Sequence, residues 1–182
     1  VLTKAPVAVI DAGPAGLTAA YVLSLKSYPV TVFEKLPKPG GMLTYGIPEY
    51  RLPREIIAQE IEDIKAHGVE IKCGVDVGKD VTVDGLFEQG FKALFIGVGT
   101  QTSYTLGIDG ENLSGVLPGV EFLRDLNLGR LKEADYKGKR AAVIGGGNTA
   151  IDAARTLLRL GAKEVFLVYR RTRDEMPANS EE

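Results

Sequence analysis

Two stretches decide the fold: Val9–Ala20, VIDAGPAGLTAA, and Val143–Ala154, VIGGGNTAIDAA. Each follows a short apolar run, APVAVI in the first case and AAVI in the second, and leads into residues spaced for a helix. A further apolar run, PVTVFEK or EVFLVY, comes after each helix. Short apolar runs bounded by glycine turns suit parallel strands buried on both faces. A strand, glycine turn, helix and strand in sequence make a βαβ unit, which is right-handed almost without exception. The expected fold class is therefore α/β, with two Rossmann-like dinucleotide-binding units on parallel sheets.

The glycine spacing carries chemistry. In GxGxxG the first glycine permits the tight turn, the second lets backbone amides approach a pyrophosphate, and the third lets helix and strand pack closely. The helix N-terminus adds partial positive charge. The first copy keeps Gly13 and Gly16 but has Asp11 at the first position, and Glu34 closes its second strand 21 positions beyond Gly13. A carboxylate there suits a ribose with a free 2′-hydroxyl, as in FAD or NAD, and repels a 2′-phosphate. Aspartate tolerates left-handed backbone, so the turn is expected to survive Asp11, with weakened binding of the cofactor. The second copy reads Gly145, Gly147 and Ala150, and its second strand runs into YRRTR, with Arg170 standing 23 positions beyond Gly147. Paired arginines in place of the ribose acid are what a 2′-phosphate requires.

The rest of the chain sets bounds. Its 182 residues are 45% hydrophobic and 25% charged, with a net charge of −2, which gives no basic surface for nucleic acid or an anionic membrane. No apolar run approaches the ~20 residues of a membrane-spanning helix. The single cysteine, Cys73, allows neither an internal disulfide, nor an iron–sulfur ligand set, nor a CxxC pair. It is read as structural, and a cytoplasmic location is expected. Residues 37–52 read as a long loop, followed by a helix from Pro53 to Gly68 that carries the single histidine, His67, in its last turn. VEIKCG reads as a strand, KALFIGVGT as another buried strand, and GVLPGVEFLRDL as the start of a connecting region. The expected division is 1–136 for the first unit and 137–182 for the second, which is truncated after one βαβ.

Longer strings add a family resemblance. EKLPKPGGMLTYGIPEYRLP, FIGVGT and VIGGGNTAIDAARTLLRLGAKEVFLVYRRTRDEMPA closely resemble the small (beta) subunit of glutamate synthase and the flavin region of dihydropyrimidine dehydrogenase. In that family an FAD domain is interrupted by an NAD(P)H domain, and electrons pass from NADPH to FAD and on to iron–sulfur clusters. The resemblance implies an FAD site at Gly13, Pro14, Ala15 and Gly16, with Glu34 and Lys35 at the ribose. It places Gly41, Met42, Leu43 and Arg51 on the flavin side, Val77 at the adenine end, and Gly99 in the turn where the chain leaves the FAD domain. It implies an NADPH site at Gly145, Gly146, Gly147, Asn148 and Thr149, with Arg170, Arg171 and Arg173 for the 2′-phosphate. The implied partner is an iron–sulfur subunit or domain, because the family's Cys-rich cluster region has no counterpart among these residues. A ferredoxin–NADP reductase of the adrenodoxin reductase type is the alternative enzyme, disfavoured by YGIPEYRLP. A non-catalytic nucleotide-binding or subunit-interaction fragment is the alternative outside enzymes. A second unit ending at Glu182 leaves apolar sheet surface uncovered, and the 182 residues alone are expected to show little NADPH-dependent dye reduction.

Overall fold

The computed structural model describes residues 4–181. Their elements follow in chain order as β1 (Val7–Ile10), α1 (Pro14–Leu25), β2 (Val30–Glu34), α2 (Met42–Tyr45), α3 (Arg54–Ala66), β3 (Glu70–Cys73), α4 (Val83–Glu88), β4 (Ala93–Ile96), α5 (Gly119–Asn127), β5 (Arg140–Ile144), α6 (Asn148–Arg159) and β6 (Glu164–Val168). The chain divides into two compact units, one within residues 1–44 and 49–100, the other within 45–48 and 101–182.

The first unit is a four-stranded parallel sheet in the order β3-β2-β1-β4. β1 is central and buried throughout, which is why its sequence, VAVI, has no polar alternation. Side chains on successive residues point to opposite faces. Val9 and Val32 pack with Leu17 and Ala20 of α1 and with Ile57 and Ile61 of α3. Ala8, Ile10 and Phe33 face the other way and cover Leu86 of α4. That leucine is fully buried, and such burial contributes about 1.5–3 kcal/mol.

The second unit has two parallel strands, β5 and β6, joined through α6. Ala141, Val143 and Val165 pack with Ala153 and Leu157 of α6 and with Phe122 and Leu123 of α5. The opposite face carries Ile144, Phe166 and Val168, all exposed.

Four sequence expectations change. KALFIGVGT forms a strand, but β4 is the sheet edge and Ile96 is 64% exposed, because an apolar run identifies a strand without fixing its place in the sheet. The loop 37–52 contains the single helical turn α2. The connecting region after Gly115 contains α5, whose Phe122 and Leu123 are core residues. Cys73 is exposed.

Candidate functional site

In the first unit the turn from Asp11 to Gly16 is built by close backbone approaches. A methyl group at Gly16 would stand 1.9 Å from the Asp11 carbonyl oxygen, and one at Gly97 would stand 3.2 Å from the Gly16 amide nitrogen. The third glycine therefore serves packing of α1 against the strand ends, as the spacing requires. Gly40 donates to the Ala12 carbonyl at 2.8 Å, and a methyl at Gly41 would lie 2.7 Å from the Gly13 Cα. The loop before α2 is thus pressed onto the turn. Leu17 is the first residue of α1 whose amide bonds back, to Gly13, which leaves the Ala15 and Gly16 amides at the open helix end.

Glu34 is fully buried. Its carboxylate accepts from the Ala12 amide at 2.9 Å and from the Leu36 amide at 2.7 Å. Burial pushes its carboxyl above the usual glutamate range. Those two amides oppose the rise, while the neighbouring Asp11 carboxylate adds to it. Asp11 itself has φ +82° and accepts from the Gly13 amide through Oδ2 at 3.0 Å. A side chain thus occupies the Gly13 amide, which the turn would otherwise leave open to an anion. Gly145, at the same motif position in the second unit, has φ +137°, so both copies use left-handed backbone there and only one carries a side chain.

The remaining residues expected in the first unit are spread around this turn. Pro14 and Ala15 are exposed at the start of α1, Lys35 is exposed beyond β2, Met42 is exposed, and Leu43 and Arg51 are half-buried. Val77 bridges to Val81, two residues along from Val75, whose amide donates to the Glu34 carbonyl. Gly99 has φ +64° and open space around it. Sequence reasoning missed Arg54, whose Nη1 donates to the Leu43 carbonyl at 2.7 Å and ties α3 to the loop. It also missed Thr44, whose hydroxyl donates to the Pro39 carbonyl at 2.8 Å.

The second unit repeats the turn with a cover. The Ala150 and Ile151 amides bond to the Gly147 carbonyl, leaving those of Asn148 and Thr149 at the helix end. Gly147 has no atom within 4 Å of the position a methyl would take. Gly146 is different: a methyl there would meet the Tyr169 ring at 2.8 Å and the Met176 side chain at 3.0 Å. The chain beyond β6 folds back onto this turn. Ala178 donates to the Gly146 carbonyl at 3.0 Å, and the Asn179 amide donates to Asn148 Oδ1 at 2.8 Å. Arg170, Arg171 and Arg173 are exposed along this returning segment, and their side chains make no hydrogen bond or ion pair among the described residues. Tyr169, Met176 and Asn179 were not legible as site residues.

These residues match a known sequence family: residues 5–181 fit that described as pyridine nucleotide-disulphide oxidoreductase. The chain belongs to this family. It is 55% identical over 97% of its length to the NADP(+)-dependent formate dehydrogenase subunit beta of Moorella thermoacetica, of which it covers 25%. It is 38% identical over 99% of its length to the glutamate synthase [NADPH] small chain of Escherichia coli, of which it covers 40%. The chain thus spans a quarter to two-fifths of these relatives, and the resemblance to the glutamate synthase small subunit is borne out. Among solved structures, FprA of Mycobacterium tuberculosis in complex with NADPH aligns over 98% of this chain and 46% of its own, with TM-score 0.80 at 24% identity. Thioredoxin reductase of Lactococcus lactis aligns over 98% of this chain and 59% of its own, with TM-score 0.68 at 24% identity. At that identity the two structures speak for the α/β fold alone.

Both turns fit a dinucleotide. Each leaves helix-end amides for an anion, and the second has open space at Gly147. Two features run against the fit in the first unit. Asp11 holds the Gly13 amide. Glu34 is fully buried with both carboxylate oxygens on backbone amides, so it meets a ribose only if the chain around Leu36 shifts.

Proposed function

We propose that the first unit holds FAD and the second NADPH, in an electron-input module of a flavoprotein oxidoreductase of the glutamate synthase small-chain type. The observation that carries this reading is the opposite charge at the two strand ends. Glu34 closes β2 as a buried acid, and Arg170 and Arg171 follow β6 as exposed bases. A carboxylate accepts ribose hydroxyls and rejects a 2′-phosphate. Guanidinium groups grip phosphate in a bidentate way. The names of the relatives, which include NADP(+) and NADPH, support the second assignment.

In this reading the unit within residues 1–44 and 49–100 belongs to the FAD domain and the unit within 45–48 and 101–182 to the NADPH domain. The boundary lies earlier in the chain than the expected 136, because α5 packs on α6. Gly13, Gly16 and the α1 amides hold the FAD pyrophosphate, with Gly41, Met42, Leu43 and Arg51 on the flavin side and Val77 at the adenine end. Asn148, Thr149 and the turn Gly145–Gly147 hold the NADPH pyrophosphate. When bound, the nicotinamide supplies a hydride that the flavin accepts, and the chain's residues orient the two cofactors and tune their charge. Electrons then leave for an iron–sulfur subunit or domain. The sequence holds one cysteine, too few to ligate an iron–sulfur cluster, so in this reading the carrier belongs to a partner or to another domain. No helix among the described residues is long and apolar enough to cross a membrane, and the lone thiol suits the reducing cytoplasm.

The test is the visible spectrum of the purified protein carrying this chain, followed by anaerobic addition of NADPH or NADH. The reading expects a flavin band that NADPH bleaches faster than NADH at equal concentration. The Asp11–Gly13 contact favours a second reading, a nucleotide-binding part without flavin, and a folded but colourless protein would establish it over the first.

A further inference from the structure

The segment from Tyr169 to Asn179 starts and ends at the second glycine turn, and its interior is fastened to itself. Glu175 Oε2 accepts from the Thr172 amide at 3.1 Å and from the Thr172 hydroxyl at 2.9 Å. The Tyr169 hydroxyl donates to the Glu175 carbonyl at 3.1 Å. The Glu175 amide donates back to the Thr172 carbonyl at 3.2 Å. The far end is tied down by Ala178 on Gly146 and by Asn179 on Asn148.

Three exposed arginines lie inside this closed loop. Arginine side chains carry large rotamer entropy, and a loop that fixes their backbone lowers the cost of bringing several of them to one phosphate. The Glu175 carboxylate accepts from Thr172 and forms no ion pair with the arginines. Their charge therefore stays available to a ligand. The residue is thus more than a nearby negative charge that would oppose a phosphate.

We propose that Thr172 and Glu175 are positioning residues for 2′-phosphate selectivity, holding the Arg170–Arg173 loop in the shape that grips a phosphorylated ribose. The inference rests on the NADPH reading of the second unit. It predicts that Glu175 acts on the 2′-phosphate alone, with the pyrophosphate held independently by the glycine turn.

The experiment is calorimetric titration of the full chain with 2′,5′-ADP, which carries the 2′-phosphate, and with 5′-AMP, which does not. The wild type should prefer 2′,5′-ADP. Glu175→Ala should weaken 2′,5′-ADP by about tenfold, the worth of one weakened charged hydrogen bond, while 5′-AMP changes less than about twofold. Glu175→Gln retains an acceptor for Thr172 and should restore most of the loss. Where Glu175→Ala does not fold, Thr172→Val, which removes only the hydroxyl donor, should show the same selective loss at smaller size. Equal weakening of both ligands would make the box a plain structural support and overturn the proposal. Tighter 2′,5′-ADP binding in both Glu175 variants would make the carboxylate an electrostatic penalty and overturn it too. A wild type with no preference between the two ligands would instead refute the NADPH reading beneath it.

Discussion

Replacing Asp11 with glycine separates charge from backbone at the first turn. The side chain lies 3.0 Å from the Gly13 amide, so a phosphate oxygen competing for that donor comes to within roughly 5 Å of the carboxylate. At that separation two unit charges repel by about 1 kcal/mol in a water-like dielectric and about 3 kcal/mol at an effective value near 20. FAD should therefore bind about fivefold to 150-fold more tightly to Asp11→Gly. The effect on stability should be small, because three terms oppose one another. Relief of φ +82° favours glycine by about 1 kcal/mol. Loss of the bond to the Gly13 amide and the greater freedom of glycine in the unfolded chain cost about 1–2 kcal/mol together. Asp11→Asn keeps a residue suited to left-handed backbone and removes only the charge, so it should recover most of the gain. Flavin fluorescence quenching during titration of the apoprotein measures all three proteins. An FAD affinity within twofold of wild type in both variants, with folding intact, would refute the electrostatic argument.

Gly16→Ala puts a methyl 1.9 Å from a backbone oxygen and should cost at least about 3 kcal/mol in urea unfolding; a cost under about 1 kcal/mol would contradict the packing described. Gly146→Ala meets the softer Tyr169 and Met176 side chains and should cost about 1–3 kcal/mol, with loss of hydrogen-exchange protection at the Ala178 amide. The raised carboxyl of Glu34 means that the folded state holds its proton more tightly than the unfolded chain. Its contribution is present below the unfolded value, about 4.3, and is lost as pH rises through the higher folded value. Stability of the wild type should therefore fall over that interval, and by less in Asp11→Asn; superimposable pH profiles of the two proteins would show that Asp11 does not act on Glu34.

The two βαβ units were legible because glycine turns and apolar runs are local signals. β1-α1-β2 and β5-α6-β6 fall where the spacing puts them, within a residue or two at each end. α4 was not legible, since it is six residues long, contains Gly85 and buries only Leu86, too little for a helical period to emerge. Its signal was the Thr82 hydroxyl capping the Gly85 amide. α5 opens on Pro118 and Gly119, which read as a turn. The position of β4 at the sheet edge depends on pairing with β1, and no run of apolar residues encodes that. Around the sites, the motif glycines and the charges at the strand ends were readable by position. The cover of Gly146 by Tyr169 and Met176 was not, because those contacts form only when the chain turns back. The Thr172–Glu175 spacing was the one trace of it in the sequence. That Asp11 tolerates the turn was foreseeable from its side chain, whereas its capture of the Gly13 amide was visible only in the structure.

The central claim is that two nucleotide sites of opposite preference share this chain. Titrating the protein with FAD and then, at saturating FAD, with NADP⁺ tests it most directly. The account predicts one FAD and one NADP⁺ per chain, with the NADP⁺ affinity unchanged by FAD and strongly reduced in Arg170→Ala/Arg171→Ala. Displacement of FAD by NADP⁺, or NADP⁺ binding indifferent to those arginines, would contradict it.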